Sequence, residues 1–278
     1  MLNEKIFFFN NNENIRLLGF LHLPDKIQSR TGILYIHPFA EEQNCSQAII
    51  VKAARAFART GFPVLRFDLR GCGDSEGELV SCKIDDWLKD VHAAIEYFKN
   101  ETGIEKIAIW GLRAGCGIGI ISTLSRTDIV YYILWQPVLD FGKYINQFIR
   151  QKLSTEIAAT SGNNASVKTL LEELDNQGQL EVMGYLISKD LYESFVRTGN
   201  FESKYPADIK SFITSISMME KPNYGLLKFL TYLQTRNAPV TFKHIKTETF
   251  WDRYWQWDSP VLIEETKLWL QNEIQGRK

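Results

Sequence analysis

The sequence has no long apolar run. Among its 278 residues no hydrophobic stretch approaches the ~20 residues that a membrane-spanning helix requires. The apolar patch in the N-terminal MLNEKIFFFNNNEN is too short, and too closely flanked by polar residues, to read as a secretory leader. An excess of one charge is also lacking, since 32 Lys plus Arg stand against 33 Asp plus Glu. With no basic run and no interleaved aromatic stripe, nothing is present to track a phosphate backbone, which argues against nucleic acid as a partner. Cysteine is scarce: Cys45, Cys72, Cys82 and Cys116 have neither C-x-x-C spacing nor nearby His pairs, so neither a zinc site nor a disulfide framework is signalled. No internal repeat is found. These absences lead us to expect free thiols, no metal and no cofactor, in a cytoplasmic protein without a membrane span.

Hydrophobic residues make up 45% of the chain, enough for one substantial core. The 17 Phe, 7 Trp and 11 Tyr exceed what an average core needs and suit an apolar pocket or a buried lid face.

Two β runs, Ile6 to Phe9 and Ile15 to Leu23, flank the turn-forming Asn10-Asn-Asn-Glu-Asn14 and predict an antiparallel hairpin. From Thr31 continuous apolar strands alternate with amphipathic helices. Strands are expected at Gly32 to Ile36, Pro63 to Phe67, Lys106 to Trp110 and Ile129 to Trp135, with helices at Ser46 to Arg59, Ile84 to Asn100 and Gly115 to Leu124. Strands apolar on both faces and joined by helices imply a mostly parallel sheet covered on both sides. Between about Phe141 and Tyr205 the alternation breaks into helices around a polar loop at 161–166, the stretch we expect to be disordered. It resumes with strand Ile209 to Met219, helix Gly225 to Thr235, strand Pro239 to Ile245 and helix Pro260 to Gln275. The expected organisation is a core of residues 1–140 and 206–278 with a helical lid insertion at 141–205.

The chemistry centres on Gly111-Leu-Arg-Ala-Gly115, which follows an apolar strand and opens a helix. This is the G-x-S-x-G nucleophile elbow of the α/β-hydrolase fold with Arg113 in place of the serine. A guanidinium stays protonated and offers only donors, so it cannot act as the nucleophile. Cys116 is a weak substitute. Centring the elbow on it would put Ile118 where the turn demands a small residue.

The backbone amides of Phe39 and Ala114 are the candidate oxyanion donors. His37, before Pro38 at a strand end, reads as a structural histidine ahead of a base, though it can also face a ligand. Glu41 and Glu42 are candidate partners for Arg113, as is a ligand anion. Glu220 occupies the region of a triad acid. His244 falls too early, inside a strand, and Thr247 to Trp251 contains no imidazole. The loop Phe67-Asp-Leu-Arg-Gly-Cys-Gly-Asp-Ser-Glu-Gly77 resembles the D-x-R-G-x-G-x-S loop of α/β-hydrolases. We read it as a structural brace in which Asp68 and Arg70 find partners and Ser75 caps a turn.

Together the strings HPFAEE, FDLRGCGDSEG, IWGLRAG and LWQPVLD resemble the α/β-hydrolase-like family called exosortase A system-associated hydrolase 2, over about residues 17 to 271. The resemblance is strongest from Thr31 to Asp140 and around Phe250-Trp251, and the elbow arginine is part of that family's pattern. It implies a serine-hydrolase-like fold in the setting of bacterial exopolysaccharide production and exosortase-dependent sorting of surface proteins. It implies no substrate.

Three readings remain open on the sequence. The first is a degenerate hydrolase binding an anionic or acyl-bearing small molecule at Arg113 beneath the lid. The second is a true ester, thioester or amide hydrolase with a non-standard constellation. The third is a lid face that docks a protein of the exopolysaccharide machinery.

Overall fold

The structure, a computed structural model, describes residues 2–159 and 166–275. The expected polar loop therefore lies, apart from Ser166, outside the described residues.

The hairpin of β1 (Asn3–Asn10) and β2 (Arg16–Leu23) forms as predicted, antiparallel. Then come β3 (Thr31–Ile36), α1 (Glu41–Arg59), β4 (Val64–Phe67), α2 (Ile84–Thr102), β5 (Lys106–Leu112), α3 (Ala114–Thr123) and β6 (Ile129–Trp135). After β6 the chain runs through α4 (Phe141–Ala159), α5 (Val167–Gln177), a small hairpin of β7 (Gln179–Val182) and β8 (Tyr185–Ser188), and α6 (Lys189–Thr198). It closes with β9 (Lys210–Ile216), α7 (Tyr224–Thr235), β10 (Val240–Ile245) and α8 (Pro260–Gln275).

The eight-stranded sheet has the order β1-β2-β4-β3-β5-β6-β9-β10, antiparallel at the β1 edge and parallel from β4 onward. Burial of both faces explains why β3, β4 and β5 carry almost no polar residues. On one side α1 and α8 pack through Ile49, Phe57, Leu262 and Trp269. On the other lie α2, α3 and α7, with Trp87, Ile118 and Phe229. This is the α/β-hydrolase architecture the alternation implied.

Two differences matter for the site. Helix α1 begins five residues earlier than its apolar periodicity indicates, because Glu41 and Glu42 join its first turn, where carboxylates complement the N-terminal dipole. The segment between β6 and β9 is not purely helical: Leu180 and Val182 are buried alternately, and the Met183-Gly184 turn, with φ of 52° and 82°, folds β7 against β8. Since β6 and β9 are direct neighbours in the sheet, that whole segment is an excursion from one strand end to the next strand's start.

The loop after β4 is a brace. Asp90, fully buried in α2, accepts from the Arg70 backbone amide at 3.0 Å, from its Nη2 at 2.7 Å and from Asn11 Nδ2 at 2.7 Å. The Ser75 hydroxyl donates to the Asp68 carbonyl at 2.6 Å and accepts the Leu18 amide at 2.9 Å, tying the loop to β2. No helix among the described residues is long and apolar enough to cross a membrane.

Candidate functional site

The turn from β5 into α3 is fixed by two close approaches. A Cβ on Gly111 would stand 2.5 Å from the Cys116 nitrogen, and one on Gly115 would stand 2.2 Å from the Ile36 carbonyl oxygen. Only hydrogen fits at either place. Between them Arg113 takes φ 54° and ψ −119°, a conformation costing on the order of 1–3 kcal/mol for a residue with a side chain. The strain is held from both sides: the Arg113 amide donates to the Trp135 carbonyl at 3.0 Å, and its own carbonyl accepts from Cys116 and Val138 at 3.2 and 3.3 Å. The elbow is thus intact, and it projects a guanidinium from the C-terminal edge of the sheet.

That guanidinium meets Glu42. Its Nε and Nη2 lie 3.2 and 3.1 Å from Glu42 Oε1, while Glu42 Oε2 accepts the Tyr144 hydroxyl at 2.8 Å. Trp251, from the loop between β10 and α8, and Tyr144, from α4, present their rings to the Arg113 Cζ at 5.1 and 5.6 Å, within cation–π range. Nη1 makes no hydrogen bond among the described residues. Burial pushes the Glu42 carboxyl above its usual value, against the pull of the Arg113 charge. Burial opposes the Arg113 charge, but Glu42 outweighs it and the guanidinium stays firmly protonated.

Beside this cluster opens a cavity of about 310 Å³. Its walls include Glu41, Glu42, Arg113, Tyr144, Trp251 and Asp252, together with Phe148, Met183 and Tyr254. The two expected carboxylates and the elbow arginine are therefore brought together. Glu41 accepts the Tyr185 hydroxyl on Oε2 at 2.7 Å, a contact between α1 and the β7–β8 hairpin.

Phe39 and Ala114 lie at the same corner, one ending the stretch after β3 and the other opening α3. The Phe39 ring packs against Phe148 and Phe195 at 5.1 Å each, and its backbone approaches the Tyr144 hydroxyl. Burial and the nearby Glu42 charge hold that phenol protonated.

Other sequence candidates sit elsewhere. Both ring nitrogens of His37 are committed to backbone, Nδ1 to the Pro38 carbonyl at 2.7 Å and Nε2 to the Leu69 amide at 3.1 Å, so the imidazole is neutral. Burial lowers its pKa further, and it does not line the cavity. Glu220 is exposed, pairs with Lys246, and borders a separate recess with Gln136 and Pro222. His244 donates to or accepts nothing near Arg113; its Nε2 lies 2.8 Å from the Met219 carbonyl. Cys116 is fully buried, its thiol directed to the Trp135 carbonyl and its pKa pushed far up by burial. Tyr144 and Trp251, which frame the guanidinium, carry no local sequence signal of that role. No group of three or more His, Cys, Asp and Glu among the described residues could hold a metal ion.

Residues 28–210 match the profile of the hydrolase family described as serine aminopeptidase, S33. A thiohydrolase of Aspergillus aculeatus is 25% identical over 195 residues, 65% of this chain and 59% of that protein. Human protein ABHD12B is 31% identical over 86 residues, 31% of this chain and 22% of that protein. The chain thus matches under two thirds of either relative's length. Among solved structures, Est1E of Butyrivibrio proteoclasticus with ferulic acid bound superposes with a TM-score of 0.68 at 16% identity, covering 97% of this chain and 99% of that one. The Pyrococcus furiosus esterase Pf2001 gives 0.65 at 14% identity, covering 99% and 91%. At such identities these two likenesses speak to the fold alone.

Proposed function

The chain belongs to the serine aminopeptidase S33 family of α/β-hydrolases, and from that premise we propose that it has kept the family's scaffold and turned the nucleophile position into an anion anchor. Its ligand is an anionic or acyl-bearing small molecule. One observation carries this reading: Arg113 stands on an intact elbow beside a cavity, with Nε and Nη2 engaged by Glu42 and Nη1 uncommitted. A guanidinium held on one edge is preorganised to offer its remaining donors to a carboxylate or phosphate. The segment at 141–205 acts as a lid, because Tyr144 of α4 and Tyr185 of β8 bond the two glutamates that border the cavity.

We propose further that the triad is degenerate. No hydroxyl stands at the elbow, the Cys116 thiol is sealed, and His37 has no free nitrogen. The setting in bacterial exopolysaccharide production and exosortase-dependent sorting rests on the HPFAEE and WGLRAG strings, and a cytoplasmic location goes with it.

The relative named for thiohydrolase activity favours the second reading, hydrolysis by a non-standard site using the Phe39 and Ala114 amides. Turnover of short and medium-chain p-nitrophenyl esters by wild type, Arg113→Ala and Cys116→Ala separates the two. Equal background in all three is expected. Turnover with a saturable KM that one substitution abolishes would make this protein a hydrolase.

A further inference from the structure

We infer that the ligand of the Arg113 cavity is dipolar, a short amino acid whose carboxylate meets Arg113 and whose ammonium meets Glu41. This deepens the anion-anchor reading and rests on it. The first ground is charge. The cavity wall carries Glu41, Glu42 and Asp252 against Arg113, and no other Lys, Arg or His lines it. A simple anion would enter a space already rich in carboxylates, whereas a dipolar molecule adds no net charge. In a semi-enclosed site of reduced dielectric that difference weighs heavily.

The second ground is an acceptor without a donor. Glu42 is fully engaged by Arg113 and Tyr144, but Glu41 is engaged on one oxygen only. Oε2 takes the Tyr185 hydroxyl at 2.7 Å, while Oε1 is buried with no hydrogen-bond partner. A carboxylate oxygen removed from water needs a donor, and an ammonium supplies both proton and charge. The third ground is the rest of the wall. Phe148 and Tyr254 add aromatic side chains to the lining, and an aromatic lining favours an ammonium over a neutral amine.

Volume bounds the ligand's size. A cavity of about 310 Å³ lies at the small end of small-molecule sites, which suits an ω-amino acid of about three to six carbons.

The test is calorimetric titration at pH 7.5 with 4-aminobutanoate and 6-aminohexanoate, against hexanoate and hexylamine, on wild type, Glu41→Gln, Asp252→Asn and Arg113→Ala. Wild type should prefer the better amino acid over hexanoate by about tenfold or more, as expected for one charge-assisted hydrogen bond. Glu41→Gln should erase that preference without weakening hexanoate binding; Asp252→Asn, which neutralises a carboxylate already bonded by Thr249, should reduce it less. Equal affinity for hexanoate and the amino acids, unchanged by Glu41→Gln, would overturn the dipolar inference and leave the anion anchor standing. Carboxylate binding that survives Arg113→Ala, or hexylamine binding as tightly as the amino acids, would overturn the anchor itself. No binding of any probe by folded protein would contradict both.

Discussion

Arg113 and Glu42 are joined through a single oxygen: Nε and Nη2 both reach Oε1, at 3.2 and 3.1 Å. The other carboxylate oxygen belongs to Tyr144. This geometry differs from a fork-to-fork ion pair, in which each carboxylate oxygen would meet its own nitrogen. Arg113 also lines the cavity, and its Nη1 takes no part in this pair, so the internal ion pair orients Arg113 without consuming it.

Restoring the hydroxyl should not restore catalysis. In Arg113→Ser the serine would sit on a sound elbow, but no imidazole would take its proton, because His37 is bonded to backbone at both nitrogens and Trp251 stands where the β10–α8 loop approaches the elbow. Ester hydrolysis by this variant should remain at the wild-type background. A stoichiometric burst of nitrophenol, with an acyl group found on the new serine by mass spectrometry, would show that a base is available after all.

The elbow should tolerate no side chain at its second glycine. The Cβ of Gly115→Ala would lie 2.2 Å from the Ile36 carbonyl oxygen and 2.7 Å from that of His37. Backbone on both sides must then move, at a cost of about 1–3 kcal/mol. A thermal melt should show Tm lower by several degrees. An unchanged Tm would mean that β3 and α3 are not held at this separation.

Acid should weaken the hairpin edge in a defined window. His22 is buried, with Nδ1 2.6 Å from Glu4 Oε1 and Nε2 accepting from Arg66 Nε at 3.1 Å. Burial, then the Arg66 charge, lower its pKa from 6.5 to about 4, against the pull of Glu4. Below pH 6.5 the unfolded chain takes up a proton that the folded chain refuses until about pH 4. Stability present at neutral pH, about 3 kcal/mol at most, is therefore lost as pH falls through that window. Tm measured from pH 7 to 4 should fall less steeply in His22→Gln than in wild type; parallel slopes would contradict the assignment.

The elbow was legible because its signal is local and steric: two glycines at fixed spacing after an apolar strand leave one backbone solution. The parallel sheet was legible for a similar reason, since strands such as Ile107 to Trp110 are buried on both faces and read as unbroken apolar runs. Glu42 was anticipated as a partner of Arg113 by charge alone. Its mechanical role was not, because the helix is read from its apolar periodicity only from Ser46 onward, which hides a first turn opened by two carboxylates. The ring clamp was illegible for a different reason. Tyr144 and Trp251 reach Arg113 from sequence positions 31 and 138 residues away, and nothing in their neighbours distinguishes a ring on a guanidinium from a ring in the core. The β7–β8 hairpin was hidden by shortness, with two buried residues in β7 and one in β8 to set against the helical pattern around it.

The central claim is that Arg113 holds a ligand's anionic group. Isothermal titration of hexanoate into wild type and Arg113→Ala, at low and at physiological salt, tests it most directly. The account predicts saturable binding by wild type that weakens with salt and falls at least tenfold in the variant, the loss expected for one charge-assisted pair. Equal affinity in both proteins would contradict it.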